Sequence, residues 1–555
     1  MADNNLNLLR EEGIRAIPKN LEVFNNLLLK AEDLVSREEF DAAAAYLQIA
    51  ASHANVNHCG FYSCPRLEQI LLEIGQRVIS KNLYSREEAS FPGGVKKILH
   101  VSTHVSDIGG ISRLLQRWIQ QDSERSHSVA LTKQGEVQVP AILRDTVSSS
   151  KGNIHVLDAE IDSITSIAKQ LHECSLDADI VVLHTWEFDV VPTIAFANKQ
   201  KSPPIIYVNN GDHWFWLGVS ISDVVANLRE SGMRLSEERR GIEPERNMLL
   251  PTILEPLQRT LSRSEAKRLL GIDQNFTVLL SIARAAKYRT INGMSFADAH
   301  IQLLKQYKQA VLIVIGPGNS DEDWSEAISQ VDGRIRVYGE TKDTAIFYQA
   351  ADIYVDSFPF VSITSLLEAG SFGVPLVSRY PYSSEACATL GADMPGLSGN
   401  LIRVKDIDEY TAVLSRLVED QNYRLSLGQA TKSKIESIHW GGSWQSALDK
   451  VYHQAVTLPP VIFPPTALVD KVSLDEPDIF LPSVNGIEIN RIMQSHLPYM
   501  PFRHRLLIWL GMVRRYGFHN NPPNALISGR FRARFYTLRS RLSHPLRLLM
   551  SSKKL

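Results

Sequence analysis

The chain's 555 residues are 44% hydrophobic and 22% charged, the make-up of a globular protein with two or three domains. Four scattered cysteines, Cys59, Cys64, Cys174 and Cys387, exclude a disulfide framework and fit free thiols in a reducing compartment. The polar start MADNNLNLLREEG reads as no signal peptide, and no apolar run reaches the ~18 to 20 residues that span a bilayer.

The formal net charge of −2 hides an asymmetry. Residues 491–555 carry 13 Lys or Arg and no Asp or Glu, whereas the other 490 carry 46 basic and 61 acidic residues. A basic tail on an acidic body implies a polyanionic partner for the tail.

Taken in chain order, residues 18–82 predict helices, because FDAAAAYLQIAASHA and LEQILLEIGQRVI place apolar residues at helical spacing. One αα-hairpin or slightly more is expected in this helical segment, 1–85, and the absence of a 34-residue period speaks against a solenoid. NLYSREEASFPGG reads as a linker. From Lys96 the pattern changes to KKILHVST (strand), HVSDIGG (loop) and ISRLLQRWIQQ (helix). SVALT, NIHVL, DIVVLHTW and PIIYVNN follow as short apolar strands.

Alternating β and α elements imply a parallel, doubly wound sheet, so 94–252 is expected to be one α/β domain. After LLPTILEPLQRTLSRSEAKRLLGID, the strands FTVLLSIAR, AVLIVIG, RIRVYG, DIYVDSF and VPLVSR outline a second domain, 264–437. WGGSWQSALDKVYHQAV, within 438–457, predicts a closing helix. Residues 458–555 read as a proline-rich linker (PPVIFPP) and a basic tail with two amphipathic pieces. These are RLLIWLGMVRR and RFRARFYTLRSRL, the latter aligning Phe531, Phe535, Leu538 and Leu542 on one face. The expected fold class is α/β, with two Rossmann-like domains facing a cleft and ligand outside the carboxyl ends of the strands.

The stretch from Asp352 to Ser378, DIYVDSFPFVSITSLLEAGSFGVPLVS, carries the most chemistry. A strand runs into a small-residue loop, a helix opens at Ser362–Ser365, and Glu368 lies one turn in. Free amides and the positive end of the helix dipole attract phosphate, and a carboxylate one turn on suits sugar hydroxyls. Past FTVLLSIA come Arg284, Lys287 and Arg289. Alone they read as a solvated loop; facing the helix tip they read as a clamp for a diphosphate.

Gly109 and Gly110 let backbone approach a ligand, or simply make a tight strand-to-helix turn. They form no G-x-G-x-x-G fingerprint, which disfavours NAD. In NNGDHWFWLG, His213 is the candidate catalytic group, with Asp212 fixing its tautomer. Trp214 and Trp216 either stack on a sugar or pack in the core. His184, ending VVLHTWE, either lines the cleft or is structural. The Asp-x-Asp pairs Asp177/Asp179, Asp321/Asp323 and Asp406/Asp408 are too frequent to signal a metal site. Asp321 and Asp323 suit the first turn of a helix, and no essential metal is expected.

In order along the chain, LLGIDQNFTVLLSIARAAKYR, LIVIGPG, IRVYGE, AADIYVDSFPF and LLEAGSFGVPLVS resemble the C-terminal half of a GT-B glycosyltransferase. They are most similar to the retaining family four group, and ILHVST…GGISRLLQRW resembles that family's first strand, glycine loop and helix. The resemblance covers about residues 95–455. It implies that Arg284 and a second cation, Lys287 in preference to Arg289, contact the donor diphosphate, and that Glu368 contacts the ribose. Ser362, Thr364, Ser365 and Gly316 complete the donor side, Gly109, Gly110 and His184 the acceptor side, and His213 lies near the transferred sugar. A glutamate usual eight residues before the ribose carboxylate is Phe360 here.

DSFPF…TSLLEA…GVP is also similar to the protein-modifying O-linked N-acetylglucosamine transferases, which share the fold and invert configuration. The implied activity is transfer of a hexose from a nucleoside-diphosphate sugar to a glycan, lipid-linked or other acceptor. Retention, independence of metal and no cofactor are expected, with His213 the base if the reaction inverts. A non-catalytic nucleotide-sugar-binding protein is the rival. The expected location is cytoplasmic, peripheral on the inner face of the cell membrane through residues 491–555, with no nucleic-acid partner.

Overall fold

Among the described residues, thirteen short apolar strands form two separate, wholly parallel sheets. The structure, a computed structural model, describes residues 3–518 and 526 except 80–93, 108, 160–162, 256, 289, 291–293, 319–323, 342, 382–390, 464–471 and 485. Arg289, Asp321, Asp323, Cys387 and the segment RFRARFYTLRSRL therefore lie outside the described residues.

The first sheet contains β1 (Lys97–Ser102), β2 (Ser126–Leu131), β3 (Ile154–Val156), β4 (Ile180–His184), β5 (Ile205–Asn209), β6 (Val224–Asn227) and β7 (Asn247–Leu249), in the order β3-β2-β1-β4-β5-β6-β7. The second contains β8 (Thr277–Ile282), β9 (Ala310–Gly316), β10 (Ile335–Gly339), β11 (Ile353–Val355), β12 (Leu376–Arg379) and β13 (Leu401–Val404), in the order β10-β9-β8-β11-β12-β13. Helices cover both faces, which is why β4, β5 and β9 are buried at every position and read as continuous apolar runs. This is the GT-B arrangement of two doubly wound domains. In each sheet the strand order reverses beside the first strand, at β1/β4 and at β8/β11. Crevices outside the carboxyl ends of those strand pairs are the natural ligand sites.

The N-terminal segment holds three helices, α1 (Asp3–Ser36), α2 (Phe40–Val56) and α3 (Pro65–Val78). α1 starts well before residue 18 and runs through Pro18. Its first half lies along the helix Glu476–Val484, so closely that a Cβ on Gly13 would sit 1.9 Å from the Ile479 carbonyl oxygen. Phe24, Leu47 and Leu67 of these helices share one apolar core with Leu99, Val181 and Ile205 of the first sheet. Glu68 of α3 accepts the amides of Gly218, Val219 and Ser220 at 2.9, 3.0 and 2.6 Å, anchoring the turn that follows β5.

The helix Gly441–Thr457 returns from the second domain to the first, packing Trp444, Leu448 and Val451 against Ile98, Ile180 and Ile206. Beyond it the chain is not merely a linker. Helices Glu476–Val484, Ile489–His496 and Phe502–Tyr516 follow, held by buried polar contacts. Asp478 accepts from His58 at 2.7 Å and from Arg239 at 2.8 Å, and His496 bonds Ser52 at 2.8 Å. No helix of the described residues is long and apolar enough to cross a membrane.

Candidate active site between the two domains

In the second domain, β8 ends at Ile282, and two residues on, Arg284 opens a turn of 3-10 helix, Ala285–Lys287. Among the described residues the exposed Arg284 side chain has no hydrogen-bond or ion-pair partner. Lys287 donates to the Val361 carbonyl at 2.6 Å, bracing the loop before the helix Ile363–Ser371. Burial pushes its ammonium down to about 8. Asp356 pulls the other way, while Arg284 and Arg229 add to the depression.

Asp356 shapes that loop. Its carboxylate accepts the amides of Ser357 and Ser362 at 2.9 Å each and the Ser378 hydroxyl at 3.0 Å. Burial raises it to about 6 against those hydrogen bonds and the charge of Lys287. The first turn of the helix keeps the amides of Ile363, Thr364 and Ser365 ahead of the first intrahelical bond, from Leu366 to the Ser362 carbonyl. Gly316, at φ +118° where β9 ends, has room for no Cβ, which would lie 1.8 Å from the Ala283 carbonyl oxygen. The glycine thus permits the β9 loop to close over the β8 end.

Glu368 is 13% exposed and accepts from Arg113 of the first domain at 3.1 Å. The buried Tyr348 hydroxyl lies beside Glu368 and Ser365 with no hydrogen-bond partner of good geometry. Arg113 belongs to α4 (Gly110–Gln121), whose N-terminus is Gly109 at φ +154°. A Cβ on Gly110 would meet nothing within 4 Å, and one on Gly109 only two hydroxyls at 3.8 and 3.9 Å, so this turn is open toward the cleft.

His213 follows β5 and is 29% exposed. Its Nδ1 lies 3.1 Å from Asp212. Burial lowers its pKa against the pull of Asp212, and the nearby cations Arg229 and Lys287 lower it further, so the ring is neutral at neutral pH. With Nδ1 donating to Asp212, Nε2 carries the lone pair.

Burial opposes the charge on Asp212, but the Arg229 guanidinium and His213 outweigh it and hold the carboxyl well below the usual range. Arg229 is bidentate to Asp212, at 2.5 and 2.8 Å, and also reaches across the cleft to the Gly391 carbonyl at 2.7 Å and Asp393 at 3.2 Å. A single buried arginine therefore ties the partner of His213 to the second domain.

One reading needs correction, and the two alternatives left open for the tryptophans are decided. His184 does not line the cleft; it is fully buried, with Nε2 3.0 Å from His100, which in turn lies 2.9 Å from His127. The last residue of β4 turns its side chain under α4, edge-on to Trp118, rather than out of the sheet end. Trp216 stacks at 4.2 Å on Tyr207 within the core and is not available to a sugar. Trp214 packs toward Tyr62, Leu235 and Leu481.

Of the Asp-x-Asp pairs, Asp179 caps the amides of Lys96 and Lys97 at the far end of β1, and Asp406 caps the helix Ile407–Glu419. Phe360 is buried. Among the described residues no group of three or more His, Cys, Asp or Glu side chains is arranged to hold a metal.

Sequence reasoning missed Arg113, Arg229 and Glu187. The Glu187 carboxyl packs against Gly211 beneath the His213 loop, pushed up to about 7 by burial and by the charge of Asp212. Its position just past β4, at the strand-order reversal, was the available signal.

The family described as Glycosyl transferases group 1 matches residues 277–420, from β8 past Glu368. The second domain is therefore similar to a glycosyl transferases group 1 domain. The D-inositol 3-phosphate glycosyltransferase of Corynebacterium aurimucosum is 24% identical over 209 residues, 35% of this chain and 47% of that protein. The chain thus spans about half the length of this curated relative. Among solved structures, HepE of Anabaena in complex with UDP has TM-score 0.49 at 14% identity, over 65% of this chain and all of that one. A mutant O-GlcNAc transferase of Thermobaculum terrenum has TM-score 0.47 at 15% identity, over 78% of this chain and 85% of that one. The lipopolysaccharide outer core galactosyltransferase WaaB has TM-score 0.45 at 15% identity, over 64% of this chain and 99% of that one. In the second domain, Arg284 and Lys287 follow the end of β8, and the Ile363–Ser365 turn and Glu368 follow the end of β11.

Proposed function

We propose that the protein is a glycosyltransferase that moves a hexose from a nucleoside-diphosphate sugar to a glycan or lipid-linked acceptor. One observation carries this reading. A cation whose side chain has no partner among the described residues, Arg284, and the amide-rich helix tip at Ile363–Ser365 sit at the strand ends of one domain, opposite His213 and the open Gly109–Gly110 turn of the other.

In this reading Arg284, the Lys287 ammonium and the helix dipole bind the pyrophosphate. They stabilise the negative charge that builds on it as the glycosidic bond breaks, work that a divalent cation does in other transferases. Glu368 exchanges Arg113 for ribose hydroxyls. Transfer proceeds with retention, the departing phosphate taking the acceptor's proton.

A second reading is inversion, favoured by the neutral His213, whose Nε2 lone pair is free to take that proton while Asp212 holds Nδ1. The anomeric configuration of the first product, followed by NMR, separates the two. The location in this reading is the cytoplasm, where Cys59, Cys64 and Cys174, which form no disulfide, stay reduced.

The test is release of nucleoside diphosphate from a panel of UDP-, GDP- and ADP-hexoses, with and without EDTA. Turnover of one donor, unaffected by the chelator, is expected. Neither turnover nor binding with any donor overturns the reading.

A further inference from the structure

The helix Phe502–Tyr516 carries apolar side chains on two faces. Ile508 and Met512 turn inward onto Met493 and Leu497. Arg505 is spent on the carbonyls of Pro498, Met500 and Leu526. The opposite stripe, Arg503, Leu507, Leu510 and Arg514, repeats at i, i+4, i+7 and i+11 and so forms one line along the helix. Nothing among the described residues covers it: Leu507 is 60% and Leu510 50% exposed, with Phe502 at 63% beside them and Phe518 at 54% just beyond the helix. A helix already docked by one apolar face has no structural need of a second in water.

The position of this helix matters. It follows His496, which is held by Ser52 and lies edge-on to Phe188, just past β4. Between them the Tyr499 ring lies 4.7 Å from the Lys133 ammonium, just past β2. Both anchor points are at the carboxyl ends of the first sheet, the end that opens on the cleft.

We propose that this stripe is the surface by which the protein sits on an anionic lipid bilayer. The leucines and phenylalanines enter the headgroup–acyl boundary, and Arg503 and Arg514 meet lipid phosphates. The remaining sequence, 517–555, adds eight Lys or Arg and no acidic residue, extending the same charge complementarity. A second copy of the chain is a poor occupant, because two-fold pairing sets these arginines against their own copies. Nucleic acid is a poor occupant too, since its phosphates leave the leucines exposed. Seated this way, the first domain opens its acceptor side toward the headgroups, where a lipid-linked acceptor presents its reactive group. That last consequence rests on the transferase reading; the docking itself does not.

The experiment is co-sedimentation of the full chain with phosphatidylcholine vesicles, with and without phosphatidylglycerol. Binding is expected only to the anionic vesicles. Leu507→Gln/Leu510→Gln should weaken it about tenfold per leucine, and Arg503→Gln/Arg514→Gln about fivefold per charge. All four side chains are surface groups, so thermal unfolding and UDP affinity of these variants should stay at native values. The proposal is overturned if both variants sediment like the native chain, if neutral and anionic vesicles bind alike, or if the leucine variant abolishes only self-association seen by analytical ultracentrifugation. Absence of UDP binding in every form would count against the transferase reading and leave the vesicle result to stand on its own.

Discussion

The contrast between Arg284 and Lys287 offers the sharpest test of the donor crevice. In the proposed reading both hold a diphosphate, but only Lys287 is also built into the fold. The Arg284 side chain is exposed and has no hydrogen-bond or ion-pair partner among the described residues, so Arg284→Ala should leave thermal unfolding of the free protein within about 1 °C, as surface substitutions usually do. A charge-assisted hydrogen bond contributes about 1.5–3 kcal/mol, so the same change should weaken UDP binding about tenfold to a hundredfold.

Lys287→Ala removes the bond to Val361 and leaves Asp356 buried without its nearby cation. It should lose similar affinity and, in addition, about 1–3 kcal/mol of stability. Isothermal titration calorimetry with UDP, paired with thermal unfolding of the unliganded variants, reads both quantities. Native UDP affinity in Arg284→Ala would refute the assignment of this crevice to a diphosphate. A loss of stability equal to that of Lys287→Ala would refute the claim that Arg284 is held in reserve for ligand.

The depressed Lys287 pKa gives a pH signature. The ammonium is the binding form and is lost as pH rises through about 8, so UDP affinity should be level below that pH and fall above it, a step that calorimetry should find missing in Lys287→Met. Gly316→Ala forces a Cβ into the backbone carbonyl of Ala283 at a positive φ, and neither can rotate away. A cost of about 2 kcal/mol or more, seen as a fall of about 5 °C in thermal unfolding together with lost UDP binding, is expected. Arg229→Met strands the buried Asp212 carboxylate, a change that costs about 3–5 kcal/mol, and Arg229→Met/Asp212→Asn should recover part of that loss in urea unfolding. Purely additive effects of the two substitutions would show that the pair is not coupled.

Local signals carried much of the structure around the helix Ile363–Ser371. The run DIYVDSF, the small-residue loop, the helix opening at Ser362 and the single carboxylate Glu368 lie within a few turns of one another. Their relative placement follows from strand and helix geometry alone. The helix before Pro18 was not legible because proline commonly marks a helix start, whereas here α1 runs through it and gains a surface at Ile479, more than 400 residues away in the sequence. The face chosen by His184 was equally hidden. A strand-end residue points either into the layer or out of it, and the choice was made by His100, His127 and Trp118 packed around it.

Hydrophobic period and turn residues therefore determined the two parallel sheets, their order along the chain and the crevice at the β8 and β11 ends, because each of these signals is written within some ten residues. Tertiary packing alone decided that Arg229 would join Asp212 to Asp393, that Arg113 would occupy Glu368, and that the N-terminal helices would merge into the first domain's core. Those contacts bring together residues such as 113 and 368. The energy of such a contact depends on burial and charge supplied by distant segments, which no local pattern encodes.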